Sequence, residues 1–157
     1  MTQASDRTSG SSVVTAEMRS LIGSETEPVT YDIEPGAIRK FARAIGDPSP
    51  IFVDEAAARA AGYGGVVAPP TFLRLLVPGP ETRPFPEPFQ RVLDGGSTYR
   101  FDQPLIAGER VTVVSKLIDV FEKQGRLGTM LFKVREIRYV DQTGSVAAVQ
   151  RSTIITY

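Results

Sequence analysis

A chain of 157 residues, 41% of them apolar, has enough material for one domain with one core and is too hydrophobic to stay disordered. Its 18 lysines and arginines balance 18 aspartates and glutamates, so the basic excess of a dedicated nucleic-acid or membrane-surface binder is missing, and nothing opposes self-association. Cysteine is absent, which excludes disulfides and thiolate metal sites; histidine is absent too, which removes the side chain that ordinarily titrates near neutrality.

Residues 1–14 read as a disordered tail, rich in Ser and Thr and without the apolar run of a signal peptide, and 15–157 as a single domain. No stretch approaches the roughly 18 apolar residues of a membrane helix, so a soluble cytoplasmic protein is expected. A short extended segment around Val29–Ile33 leads into Glu34-Pro35-Gly36, with proline where a helix would start. Ile38, Phe41, Ala42 and Ile45 then recur at i, i+3, i+4 and i+7, an amphipathic stripe, and Gly46 follows as a left-handed cap. A second short helix is expected from an Asp54 cap to Gly62. A third starts at Pro69-Pro70 and runs through Leu76 and Val77 to a stop at Pro78. Apart from Arg74 it is apolar all round, which predicts burial on most sides. Five prolines between Pro78 and Pro88 make a loop that suits neither a helix nor a central strand.

The remainder favours strands, placed near 97–103, 110–121, 128–140 and 146–156, with turns at Ala107-Gly108, Gly125 and Gln142-Thr143-Gly144. In the third, Phe132 and Val134 alternate with Lys133 and Arg135, and then the phase shifts to Ile137 and Tyr139. That predicts a β-bulge near Arg135-Glu136 and a solvated face carrying Lys116, Lys133 and Arg135. One buried helix followed by consecutive antiparallel strands gives an α+β class, a sheet wrapped around a helix.

Three segments carry a resemblance. Phe41-Ala42-Arg43-Ala44-Ile45-Gly46-Asp47-Pro48-Ser49-Pro50-Ile51-Phe52 is similar to the hydratase signature of the MaoC-like family: a helix end, Gly-Asp, a turn with proline, an apolar residue, then the histidine position. Gly62-Tyr63-Gly64-Gly65-Val66-Val67-Ala68-Pro69-Pro70-Thr71-Phe72-Leu73 resembles that family's approach to its central helix. Phe101-Asp102-Gln103-Pro104-Leu105-Ile106-Ala107-Gly108-Glu109 looks like its strand, proline and Gly-Asp/Glu turn. In order and spacing they cover nearly all of the chain beyond the tail. The resemblance implies a hot-dog fold, a central helix wrapped by an antiparallel sheet and normally paired with a second such domain. It also implies hydration of 2-enoyl thioesters of CoA or acyl carrier protein, or the reverse dehydration, with no metal or further cofactor. In active members Asp and His act as acid/base partners on the water or hydroxyl, and a backbone N–H at the start of the central helix stabilises the thioester oxygen.

By that resemblance Asp47 stands at the family's aspartate, Ser49 where Asn is usual, Phe52 at the histidine, and Pro69, which has no N–H, near the oxyanion donor. A phenyl ring transfers no proton, so no catalytic set is complete. Plainer readings stand beside these: Asp47 in an Asx-type turn, Phe52 as core or tunnel wall, Pro69-Pro70 as a good helix start. The residues expected against an acyl group are Phe52, Val67, Pro69, Thr71 and Phe72. The resulting expectation is a non-catalytic, tunnel-lining subunit whose partner hot-dog chain supplies Asp, four residues, then His. The alternative is a homodimeric hot-dog that binds acyl thioesters or hydrolyses them; the absence of a carboxylate from Thr71 to Val77 weighs against the thioesterase. Gly62, Gly64 and Gly65 lack the Lys-Ser/Thr of a phosphate loop, Ser97 sits in no nucleophile elbow, and Asp119, Glu122 and Asp141 lack metal-ligand spacing.

Overall fold

The computed structural model describes residues 12–157. In chain order come α1 (Ala16–Ser20), β1 (Val29–Asp32), α2 (Pro35–Ala44), α3 (Pro50–Val53), α4 (Glu55–Ala60), a 3₁₀ helix (Pro70–Leu75), β2 (Val92–Phe101), β3 (Arg110–Gly125), β4 (Gly128–Asp141) and β5 (Val146–Thr156). The strands form one antiparallel sheet in the order β1-β3-β4-β5-β2, with the helices against one face. The expected α+β class holds.

Local chemistry explains the front half. Pro35 opens α2, whose Ile38 and Ala42 are completely buried, and Gly46 takes the left-handed conformation (φ 72°) just beyond its end. The Asp54 carboxylate caps α4 by accepting from the Ala56 N–H at 2.8 Å. The third helix differs from expectation: it is a 3₁₀ turn of 6 residues that buries Phe72 and Leu73 while Leu75 and Val77 are 50% and 60% exposed. Its tight winding, bracketed by Pro69-Pro70 and Pro78, leaves no α-helical length to bury on all sides.

Two strand readings are corrected. β2 starts at Val92, before the expected 97, because Gly95-Gly96 forms a bulge inside the strand. Pairing with β5 breaks between Asp94 and Ser97, Gly96 has φ 97°, and a Cβ on Gly95 would come within 2.9 Å of the Thr153 side chain. The bulge expected at Arg135-Glu136 belongs to the opposite strand: β3 and β4 slip register between Leu117 and Asp119, making Ile118 the extra residue. β4 therefore keeps one phase, and Leu131, Lys133, Arg135, Ile137 and Tyr139 share the covered face. Lys133 and Arg135 are only 15% and 18% exposed and pair with Glu87 and Glu81 of the proline-rich strap that crosses that face, contrary to the solvated face expected of them. Phe132 points the other way and stacks on Phe121 at 4.9 Å.

The covered face holds two apolar clusters. One joins Ile33, Ile38, Val66, Phe72, Leu73 and Tyr139 under α2 and the 3₁₀ turn. The other joins Val14, Met18 and Leu21 to Leu117, Val120 and Leu131, with Phe85 and Phe89 of the strap packed on it. Between them runs a polar layer of Arg135–Glu81 and Lys133–Glu87, where Glu87 also accepts from Thr156 at 2.7 Å. Residues 1–11 of the expected tail lie outside the described residues. Its last three are fastened: the Glu122 carboxylate accepts from the N–H groups of Val13 at 2.7 Å and Val14 at 3.1 Å and from the Ser12 hydroxyl at 3.0 Å, and Val14 is buried. No described helix is long and apolar enough to cross a membrane.

Candidate functional site

The turn from α2 into α3 decides where Asp47 and Phe52 stand. The Asp47 N–H donates to the Ala42 carbonyl at 2.9 Å, and its carboxylate accepts from the Ser49 N–H at 3.2 Å. That is an Asx turn at the exposed end of α2, and the Asp47 carboxylate stays outside the cavity described below. Phe52, one turn further, points inward and is buried with Ala42 and Val67, beside Tyr63.

The segment after Gly65 is pinned by backbone bonds. The Val67 N–H donates to the Ile51 carbonyl at 2.9 Å and the Ala68 N–H to the Leu105 carbonyl at 2.8 Å. Together these pieces enclose a cavity of about 260 Å³ whose wall includes Phe52, Tyr63, Val67, Pro69, Phe72 and Leu73. Phe101 and Pro104 close one side, where Phe101 is 45% exposed at the edge of the sheet. Of the five residues expected against an acyl group, the structure thus gathers Phe52, Val67, Pro69 and Phe72. Thr71 is exposed and stands outside the wall, because Pro70 turns the chain so that Phe72 and Leu73 face inward.

The chemistry open to this cavity is narrow. Its wall is apolar, and the Tyr63 phenol is its single titratable group. The N–H groups of Val67 and Ala68 are spent on carbonyls, while Pro69 and Pro70 have none. The stretch that would aim an oxyanion donor therefore has no free hydrogen from 67 to 70. Among the described residues no group of three or more His, Cys, Asp or Glu side chains could hold a metal ion. Such a cavity can hold a hydrocarbon chain away from water, but it moves no proton by itself.

A second cavity, of about 350 Å³, lies on the far side of Leu73, where the short segment broken at Pro78 led one to expect room, although its lining was not foreseen. Its floor is Ile137 and Tyr139 of β4 with Gln150, Ser152 and Ile154 of β5; its roof includes Leu76 and Pro78, and Arg74 and Asp94 stand 3.9 Å apart at its edge. Tyr139 donates to the Gln150 carbonyl oxygen at 2.8 Å, and the Gln150 amide donates to the Ser97 hydroxyl at 3.0 Å. Burial, and then the neighbouring Tyr99, push the Tyr139 phenol well above its ordinary range, so it stays a donor. The Tyr99 hydroxyl lies close enough to raise the Arg74 guanidinium, yet it is buried and makes no well-formed hydrogen bond. The sequence signal for this space is Pro78, which ends the 3₁₀ turn's segment short of it.

Residues 20–150 match the profile of the FAS1-like dehydratase domain region. The chain belongs to the FAS1-like dehydratase family. A UPF0336 protein of Saccharopolyspora erythraea is 35% identical to this dehydratase-family chain over 144 residues, 87% of this chain and 89% of its own length. A probable enoyl-CoA hydratase alpha subunit of Thermomonospora curvata is 30% identical over 138 residues, 76% of this chain but 43% of that longer protein. Among solved structures, the ChsH1-ChsH2 complex of Mycobacterium tuberculosis superposes with a TM-score of 0.74 at 27% identity, over 90% of this chain and 92% of that one. The HadBC (3R-hydroxyacyl-ACP dehydratase) complex of the same organism gives 0.71 at 21%, covering 86% and 96% of the two chains. A MaoC-like dehydratase of Rhodospirillum rubrum gives 0.67 at 23%, covering 87% and 92%. The chain accordingly has the hot-dog fold, with the 3₁₀ turn where the sequence led one to expect the central helix.

Proposed function

We propose that this chain is the non-catalytic, tunnel-lining subunit of a two-chain 2-enoyl thioester hydratase or 3-hydroxyacyl thioester dehydratase, acting on CoA or acyl carrier protein thioesters in the cytoplasm. The observation that carries the reading is the 260 Å³ cavity, whose wall is apolar and includes Phe52, the residue that by the resemblance stands at the family's histidine position. In the pair, a partner hot-dog chain with aspartate, four residues, then histidine supplies the acid/base groups and the oxyanion N–H. This chain's Phe52, Val67, Pro69 and Phe72 hold the acyl group and keep bulk water from it, and the reaction calls on no bound cofactor.

Three things support this reading. Two of the structural neighbours, ChsH1-ChsH2 and HadBC, are complexes. One relative is named an alpha subunit. And β2, at one edge of the sheet, places the exposed Phe101 beside the cavity.

The test is hydration of crotonyl-CoA and of longer enoyl-CoA, by the full chain alone and by the chain co-purified with a hot-dog partner bearing that motif. The expected result is silence alone and turnover in the pair, with Asp47→Ala changing the pair's rate less than twofold. Turnover by the single chain, lost on Asp47→Ala, would overturn the proposal in favour of a histidine-free enzyme. Hydrolysis or tight retention of acyl-CoA by a homodimer, with nothing gained from any partner, would favour the thioesterase or binding-protein reading.

A further inference from the structure

We propose that the face of the sheet turned away from the helices is where two copies of this chain pair, back to back about a two-fold axis. This surface is separate from both cavities, so the proposal goes beyond the function proposed above and does not rest on it.

Strand register builds the patch. Phe121 lies opposite Phe132, Phe132 opposite Ile155, and Ile155 opposite Leu93, one row across β3, β4, β5 and β2. Cross-strand partners share a face, so all four stand on the uncovered side with Phe132. Phe121, Phe132 and Ile155 are half-buried, and Leu93 is 42% exposed. On one side of the row, two residues along β3 and β4, stand Lys123 and Met130; on the other side, at the same remove, stand Asp119 and Val134. The Lys123 ammonium lies 5.3 Å from each of the two ring centres. Lys123 and Asp119 are both exposed, and neither has an ion-pair partner among the described residues.

The surface that complements this pattern is a second copy of it. A two-fold axis along the row turns each strand end for end while leaving it over its own counterpart. Phe132 then meets Phe132 of the other copy, Met130 meets Val134, and Lys123 meets Asp119, the last two contacts occurring twice. Along β3 and β4 apolar falls on apolar and cation on carboxylate. Sheets packed face to face cross at about 30°, which moves a group two residues from the axis by only ~3–4 Å, within reach of a lysine stem. Four strands about 4.8 Å apart and about nine residues long cover roughly 550 Å² per copy, or about 1,100 Å² in all, just above the ~1,000 Å² of a specific interface. The balanced charge of the chain adds no long-range repulsion between copies. A partner charged with one sign throughout would instead meet one flank of the row with like charge.

The experiment is sedimentation velocity of the full chain alone over about 1–100 µM, the range in which an interface of minimal area opens and closes. A reversible dimer is expected. Phe132→Glu should weaken it by about tenfold or more, because the row would then bury two unpaired carboxylates. Asp119→Lys sets lysine against lysine and Lys123→Asp sets carboxylate against carboxylate, so each alone should weaken pairing about tenfold. Together they restore both attractions with the signs exchanged, and the double variant should pair within about threefold of the wild type. Both positions are exposed, so the charge variants decide the matter even should Phe132→Glu unfold. A chain that stays monomeric at about 100 µM, or a double variant that pairs no better than either single one, would overturn the proposal. So would a dimer abolished by Phe101→Glu and untouched by Phe132→Glu, which would place pairing at the β2 edge.

Discussion

Single side chains in this molecule show how one neighbour's geometry sets a role. Asp141 closes the β4–β5 turn: its carboxylate accepts from the Thr143 hydroxyl at 2.6 Å, from the N–H groups of Thr143 and Ser145 at 2.8 and 3.0 Å, and from the Gln103 amide. The Thr143 hydroxyl, followed by Gln103 and the two N–H groups, holds its pKa down to about 2. A carboxylate whose pKa is lower in the folded state adds stability that is present above its ordinary value of 3.8 and lost as pH falls through about 2. Melting temperature followed from pH 5 to pH 2 should therefore fall less steeply for Asp141→Asn than for the wild type, and parallel curves would remove this residue from the acid response. Phe52 supplies a sharper residue-scale prediction. Placing a histidine at the position the resemblance assigns to it, as Phe52→His, should leave the single chain below a hundredth of the turnover of the proposed two-chain enzyme. The proton carrier would return, but Val67 and Ala68 still spend their N–H groups on carbonyls and Pro69 and Pro70 still have none. Removing one oxyanion donor costs on the order of 10²–10³ in turnover, which makes the second loss sufficient by itself.

At the scale of elements, the proline-rich strap holds part of the sheet where a helix would ordinarily do so. Glu81 and Glu87 reach from it to Arg135 and Lys133, and Phe85 and Phe89 pack on the apolar cluster of Met18, Leu21, Leu117 and Leu131. Removing one charge from a pair this sheltered should cost more than the ~0–1 kcal/mol of an exposed pair and less than the ~3–5 kcal/mol of a fully buried one. Glu87→Gln is thus expected to lower stability by about 1–2 kcal/mol in urea titration, and Glu136→Gln, whose partner Arg151 is 64% exposed, by under ~0.5 kcal/mol. These same pairs mark where the sequence was hard to read. Pro35, Gly46 and Asp54 act through bonds a few residues away, so α2 and α4 were legible locally, and so were the four long strands. The face of β4 was not, because lysine and arginine read as solvent-facing unless their partners are known, and those partners lie 46 and 54 residues earlier in a loop with no periodicity. The bulge was misplaced for the same reason: a register slip belongs to two strands, and only one of them was being read. In the candidate site, four of the five residues expected against an acyl group, Phe52, Val67, Pro69 and Phe72, lie in the wall of the first cavity, while the second cavity depends on which face of β5 meets the roof.

For the whole molecule, the question is what completes a sheet that ends in β2. That strand bonds to β5 on one side, and it carries Val92, Leu93 and Phe101 at 63%, 42% and 45% exposure. An open edge with apolar side chains invites another chain to pair with it unless something covers it. Phe101 stacks on Tyr99 with centroids 6.0 Å apart and also walls the first cavity, so a chain docking along this edge would close the tunnel in the same act. Under the proposed function, assembly and substrate binding would be coupled through one ring. Phe101→Glu should lower the chain's own stability by about 1 kcal/mol, the scale of the lost stacking on Tyr99, and leave it folded. It should weaken association with the catalytic partner by tenfold or more, because a charge at the centre of an apolar contact is buried without a counter-ion. Sedimentation velocity of the mixed chains, read beside crotonyl-CoA turnover, checks both halves. Loss of turnover with assembly intact would give Phe101 to the tunnel alone, and loss of neither would move the partner to another face of the sheet.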